Sequence, residues 1–169
     1  MSITGYHLAD VCDAGTDALR GILLDGASGV VANNDVINLR QDGSGCQEGN
    51  GIEARNAPFT KKGRDVYVAV TGNEVRGYQK SGIVVNGSVL TLVDSNAVRG
   101  LGQVPYIAQN GVQVAFGGAG VVSRNTISDN FYTGTADAQA CGLLLYQDDH
   151  ATQLGNTFTG NQHNVCKVN

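Results

Sequence analysis

One tetrapeptide pattern recurs along this chain at a nearly constant step. It reads Gly21-Ile22-Leu23-Leu24, Gly51-Ile52-Glu53-Ala54, Gly82-Ile83-Val84-Val85, Gly111-Val112-Gln113-Val114 and Gly142-Leu143-Leu144-Leu145. Successive glycines lie 30, 31, 29 and 31 residues apart. A step of that size marks stacked supersecondary units, each burying its apolar face against its neighbours.

A second motif, Asn-x-apolar, follows each glycine pattern: Asn34-Asp35-Val36, Asn73-Glu74-Val75, Asn96-Ala97-Val98, Asn125-Thr126-Ile127 and Asn156-Thr157-Phe158. The Gly-to-Asn offsets are 13, 22, 14, 14 and 14 residues. The single long offset contains Ala57-Pro58-Phe59-Thr60-Lys61-Lys62-Gly63-Arg64, which reads as a loop insertion in the second repeat. Equal offsets predict that equal repeat positions sit above one another at the β-sheet spacing of about 4.8 Å. The asparagines are expected to take the left-handed backbone of a tight corner and to bond one another along the stack. Apolar residues alternate within each segment, as in Val66-Tyr67-Val68-Ala69-Val70, which is the strand period. The chain is therefore expected to be all-β.

Composition narrows the reading. Gly is frequent, at 24 residues, without a three-residue period, which fits many corners and excludes collagen. The net charge is −4 with no basic run, so nucleic acid is not the expected partner. No apolar run reaches the length of a membrane span. Met1-Ser2-Ile3-Thr4-Gly5 has neither the basic nor the apolar part of an export signal.

These repeats resemble the right-handed parallel β-helix proteins, the superfamily that includes the pectate lyases, over roughly residues 20–165. Ser44-Gly45-Cys46-Gln47-Glu48-Gly49-Asn50, Gly77-Tyr78-Gln79-Lys80, Ile107-Ala108-Gln109-Asn110 and Ala140-Cys141-Gly142-Leu143 resemble segments of secreted bacterial β-helix proteins. The resemblance implies a single right-handed parallel β-helix of about five coils, and export, but no particular reaction. Residues 1–20 are expected to form a partial coil or cap, and residues 21–169 the helix. Val165-Cys166-Lys167-Val168-Asn169 is read as stopping where the next glycine strand would begin, leaving an end face suited to end-to-end self-association.

Four cysteines permit three pairings. Repeat position favours Cys12 with Cys46 and Cys141 with Cys166, one pair at each end. Export, implied by the resemblance, favours disulfides over four free thiols. No Cys-x-x-Cys pair suggests zinc, and no cofactor motif is present.

In pectate-lyase-like proteins the binding groove follows the outer face of the strand equivalent to the glycine pattern. Here the outward positions are Leu23, Glu53, Val84, Gln113 and Leu144, then Asp25, Arg55, Asn86, Ala115 and Tyr146. A lyase reading takes Arg55 as proton abstractor with Asp25 and Glu53 as cation ligands; the plainer reading is a surface ion-pair ladder. A hydrolase needs two suitably spaced carboxylates, and Asp148-Asp149-His150 reads instead as a solvated corner. The corner before each glycine strand varies most, and loops over a fixed scaffold carry function. Tyr78, Tyr106, Tyr132 and Tyr146, with Gln109 and Gln113, are the candidate binders of a polysaccharide. Their alternative role is packing the loops onto the barrel.

Overall fold

The computed structural model describes residues 1–5, 19–41, 43–57, 65–147 and 150–169, and these contain strands and turns but no helix. After β1 (Ser2–Thr4) the chain makes five coils of three strands. The first is β2 (Arg20–Asp25), β3 (Gly29–Ala32) and β4 (Asp35–Ile37). The second is β5 (Asn50–Asn56), β6 (Val66–Thr71) and β7 (Glu74–Arg76). The third is β8 (Ser81–Gly87), β9 (Val89–Asp94) and β10 (Ala97–Val104). The fourth is β11 (Asn110–Ala115), β12 (Ala119–Ser123) and β13 (Thr126–Tyr132), and the fifth β14 (Cys141–Tyr146), β15 (His150–Leu154) and β16 (Thr157–Thr159). The last strand is β17 (His163–Val168).

Equivalent strands pair in parallel, one coil apart. They build a first sheet, β1-β4-β7-β10-β13-β16, a second, β2-β5-β8-β11-β14-β17, and a third, β3-β6-β9-β12-β15. The chain is thus a parallel β-helix. The eight-residue insertion is visible in the register: Asn56 pairs with Gly87 and Val66 with Val89, so the second coil places nine residues between positions that the third separates by one.

Three columns of side chains fill the interior. Ile22, Ile52, Ile83, Val112 and Leu143 stack in the second sheet. Val31, Val70, Val93 and Val122 stack in the third. Val36, Val75, Val98, Ile127 and Phe158 stack in the first. All but Ile22 and Phe158 belong to one buried core cluster, and those two, at the ends of their columns, are partly buried against it.

The recurrent glycine is a steric requirement of this core. A Cβ on Gly51, Gly82 or Gly111 would lie 2.6–2.7 Å from the carbonyl oxygen of the glycine one coil on. It would also lie 2.3–2.4 Å from Val75, Val98 or Ile127, the apolar residue of its own coil's Asn-x-apolar motif. The two sequence motifs therefore touch, and any side chain at the glycine would push the coils apart.

The asparagines form the expected ladder, continuous over five coils. Asn34, Asn73, Asn96 and Asn125 each donate through Nδ2 to Oδ1 of the next asparagine, at 2.9–3.0 Å, ending on Asn156. Each also donates its backbone N–H to the same oxygen. The left-handed corner, however, falls one residue earlier than expected, on Asn33, Gly72, Ser95, Arg124 and Gly155, all with φ between +51° and +63°. The ladder asparagine follows the corner and locks it.

The C-terminal expectation is corrected. Residues His163–Val168 form a sixth strand of the second sheet rather than stopping short of it. Asn164 takes the glycine position, its carbonyl lying 2.8 Å from where a Cβ of Gly142 would be. Without a glycine, this rung escapes the repeat pattern.

Candidate functional site

The outer face of the second sheet carries three aligned columns. Arg20, Asn50, Ser81, Asn110 and Cys141 form the first. Leu23, Glu53, Val84, Gln113 and Leu144 form the second, and Asp25, Arg55, Asn86, Ala115 and Tyr146 the third. The backbone bends at the glycine between the first two columns, so side chains three residues apart meet: Asn50 Nδ2 donates to Glu53 Oε2 at 3.0 Å, and Asn110 Nδ2 to Gln113 Oε1 at 3.4 Å.

In the first two coils this face is ionic. Arg55 Nη2 donates to Asp25 Oδ2 at 2.9 Å, and its Nη1 approaches Glu53 Oε1 at 4.0 Å. Arg20 Nε donates to Glu53 Oε2 at 2.6 Å, and its Nη1 bonds Glu48. The Asp25 bond, with the nearby carboxylates, raises the Arg55 pKa further. The three candidate residues of the lyase reading are thus brought together as an ion-pair chain. An arginine clamped this way is a poor proton abstractor, and Glu53, only 3% exposed, is already engaged by Arg20 and Asn50. Among the described residues, no three His, Cys, Asp or Glu side chains gather as a metal site would require.

The first column, from the second coil to the fourth, is neutral and polar. Asn50, Ser81 and Asn110 are buried although they point outward. Asn50 Oδ1 and Ser81 Oγ, on paired residues of adjacent coils, have no hydrogen-bond partner among the described residues. Gln113 Nε2 donates to Asn86 Oδ1 at 3.3 Å, and both side chains are half-buried. Beyond them Tyr146 meets Phe116 edge to face, with ring centroids 5.4 Å apart. Val84 is 2% exposed, so the face is not an open groove throughout. The repeat alignment already contains the signal for the first column, because Asn50, Ser81 and Asn110 each directly precede a repeat glycine.

The other candidates divide. Tyr78 turns inward, almost fully buried, and its hydroxyl donates to Asn130 Oδ1 at 2.6 Å. Burial, with the nearby Asp129 charge, raises its pKa. Tyr78 therefore offers no ring to the outer surface, contrary to its place among the candidate binders. Gln109 is fully buried: Nε2 donates to the carbonyls of Tyr78 and Gln79, and Oε1 accepts from Leu101 N–H. Gln79 binds Gln41, Ser44 and Cys46 of the preceding loop, and Gln162 Oε1 accepts from Ala140 N–H. These glutamines pin the variable corners to the barrel. Tyr106 and Tyr132 are half-buried at that corner, across the width of the strand from Tyr146. The hydroxyl of Tyr132 accepts a bond from Ala136 N–H.

Lys80 lies at the same corner, with Nζ donating to Ala108 O at 2.9 Å. Burial lowers its pKa to about 8. Cys141 is bonded to Cys166, tying β14 to β17 as repeat position suggests. Cys46 is also in a disulfide; Cys12, like Asp148 and Asp149, lies outside the described residues. No helix among the described residues is long and apolar enough to cross a membrane.

A sequence profile described as right-handed beta helix region matches residues 17–169. No curated protein and no solved structure gives a match.

Proposed function

We propose that this chain, which belongs to the right-handed β-helix family, is an exported module that binds a polysaccharide along the outer face of its second sheet. The observation that carries this reading is the neutral polar column Asn50–Ser81–Asn110. It has two buried oxygens without a partner among the described residues, and Gln113, Asn86 and the Phe116–Tyr146 pair lie beside it. Sugar hydroxyls both donate and accept, so they complement carboxamides and a serine hydroxyl together. An aromatic edge with a few directional polar groups is the usual make-up of a ligand site. Coils repeat at about 4.8 Å, so a polymer lying along the axis meets similar groups in succession.

Export is supported by the Cys141–Cys166 disulfide, since such bonds persist in oxidising compartments. A lyase or hydrolase reading is less favoured, because Asp25 and Glu53 are each held by an arginine. The test is a glycan array followed by calorimetric titration of the best ligand, with degradation products assayed in parallel. The combined substitutions Asn86→Ala, Gln113→Ala and Tyr146→Ala should weaken binding by about tenfold or more, at unchanged melting temperature. Absence of any glycan ligand, or equal binding by the triple variant, would overturn the reading. Chain cleavage would move the enzyme reading to first place.

A further inference from the structure

The outer face of the second sheet keeps its charges at one end. In the first two coils Arg20 and Arg55 are joined to Glu48, Glu53 and Asp25. In the third, fourth and fifth coils its three outward columns contain no Asp, Glu, Lys or Arg. The neighbouring chain is equally neutral. Residues 100–123, which include β11, β12 and the corner before β11, carry no charged side chain, and neither do residues 138–147, which include β14. Lys80, which precedes Ser81, directs its Nζ to Ala108 O at 2.9 Å. The unpartnered oxygens of the face add a second constraint. Glu53 takes the Nδ2 of Asn50, so Asn50 has its Oδ1 left, a buried acceptor that lacks a donor among the described residues. Ser81 Oγ, one coil on, can both donate and accept. A ligand that satisfies this pair must bring a hydrogen to Asn50.

We infer, resting on the glycan reading above, that the ligand is a neutral polysaccharide, whose units present hydroxyls and no carboxylate, sulfate or amine, and that it lies over the third to fifth coils with Asn50 at its edge. A sugar hydroxyl has the proton that Asn50 Oδ1 lacks, whereas a carboxylate or sulfate has only lone pairs and meets another acceptor there. Beyond Asn50 an anion finds neutral amide and hydroxyl donors, and so loses its hydration without a cation in exchange. The arginines of the first two coils are already engaged by Glu48, Glu53 and Asp25. The net charge of −4 also repels a polyanion at long range. A polymeric amine meets the converse lack, since no free carboxylate stands in the columns of the third to fifth coils. The site is bounded at both ends. The ion pairs close it at the second coil, and the Cys141–Cys166 bond crosses from the first column to the second at the far end. Between them the Phe116–Tyr146 pair gives the C–H face of a sugar ring an apolar edge to rest on.

Calorimetric titration of the full chain is the test, with neutral glucan, xylan and mannan set against polygalacturonate and chitosan, each at about 20 mM and about 300 mM salt. A neutral polymer should bind, with an affinity that differs by less than about twofold between the two salt concentrations. The charged polymers should bind about tenfold more weakly or not at all. Gln113→Lys places a cation in the middle of the face and should confer binding to polygalacturonate that the higher salt removes. Asn86→Lys is the second variant should Gln113→Lys fail to fold. A wild type that prefers polygalacturonate or chitosan overturns the inference and leaves the glycan reading standing. So does a folded lysine variant that gains no affinity for polygalacturonate. A wild type that binds no polymer, neutral or charged, overturns both.

Discussion

Truncating Asn96 should unfasten the middle of the ladder while leaving the corner that precedes it intact. The left-handed residue is Ser95, so Asn96→Ala changes hydrogen bonding without changing which residue carries the positive φ. The side chain is 2% exposed and makes four bonds. Its Nδ2 donates to Val70 O and Asn125 Oδ1, both at 2.9 Å. Its Oδ1 accepts Asn73 N–H at 2.9 Å and Asn73 Nδ2 at 3.0 Å. After truncation Asn73 Nδ2 still reaches Val31 O and Thr71 O, and Asn125 Oδ1 still accepts Asn96 N–H. Asn73 N–H loses its acceptor outright, and Val70 O loses the donor that Asn96 supplies. At about 1–3 kcal/mol for each buried group left unmet, the expected loss is about 4 kcal/mol. That is a large part of the stability of an ordinary domain. Asn34→Ala is the internal control. Asn34 is half-buried and, among the described residues, makes its side-chain bonds only as a donor, so about 1 kcal/mol is expected. Urea unfolding followed by circular dichroism measures both. If Asn96→Ala unfolds at the same urea concentration as Asn34→Ala, the ladder does not hold the coils together and the reasoning fails.

Three further outcomes are expected. Gly111→Ala should cost about 3 kcal/mol or leave the chain insoluble, because the new methyl meets Ile127 Cγ2 at 2.3 Å and Gly142 O at 2.6 Å; normal soluble expression with wild-type thermal unfolding would refute this. Cys141→Ser with Cys166→Ser opens a 25-residue crosslink and should lower stability by about 3 kcal/mol, with faster amide exchange in β17 than in β11, both read by hydrogen–deuterium exchange. Lys80 binds its proton less tightly when folded, with a pKa near 8 against 10.5 for the free side chain, so the unfolded state holds more protons between those values and stability contributed there rises with pH. Lys80→Met should raise stability at pH 7 and flatten that rise, as measured by denaturation at pH 7, 8.5 and 10.

Which parts of this architecture the chain announces follows from where the constraint is tightest. The repeat glycines and ladder asparagines stand at contacts that no other residue type can make: one has no room for a Cβ, the other bonds both neighbours through one carboxamide. Such positions recur legibly. Alternation also separated Val68 and Val70, which face the core, from Tyr67 and Ala69, which face out. It could not tell whether an outward residue is then covered. Glu53, Val84 and Ala115 all point outward and are all buried, a matter of loops rather than of strand period. Tyr78 and Gln109 show the same limit in the corners. Their spacing to the glycine is regular, but their direction is set by Asn130, far along the chain, and by the backbone of Leu101, at the register shift within β10. The strand at His163–Val168 escaped for the opposite reason, since Asn164 stands where the pattern demands glycine.

The central claim is that residues about one repeat apart are stacked in contact, and side-chain amide proton contacts in a uniformly labelled sample test it most directly. A nuclear Overhauser spectrum should connect the Nδ2 protons of Asn96 to the amides of Asn73 and Asn125, 23 and 29 residues away. It should connect Asn125 in turn to Asn156. Cross-peaks from Asn96 only to residues within a few positions along the chain would contradict the stack, and with it every face described above.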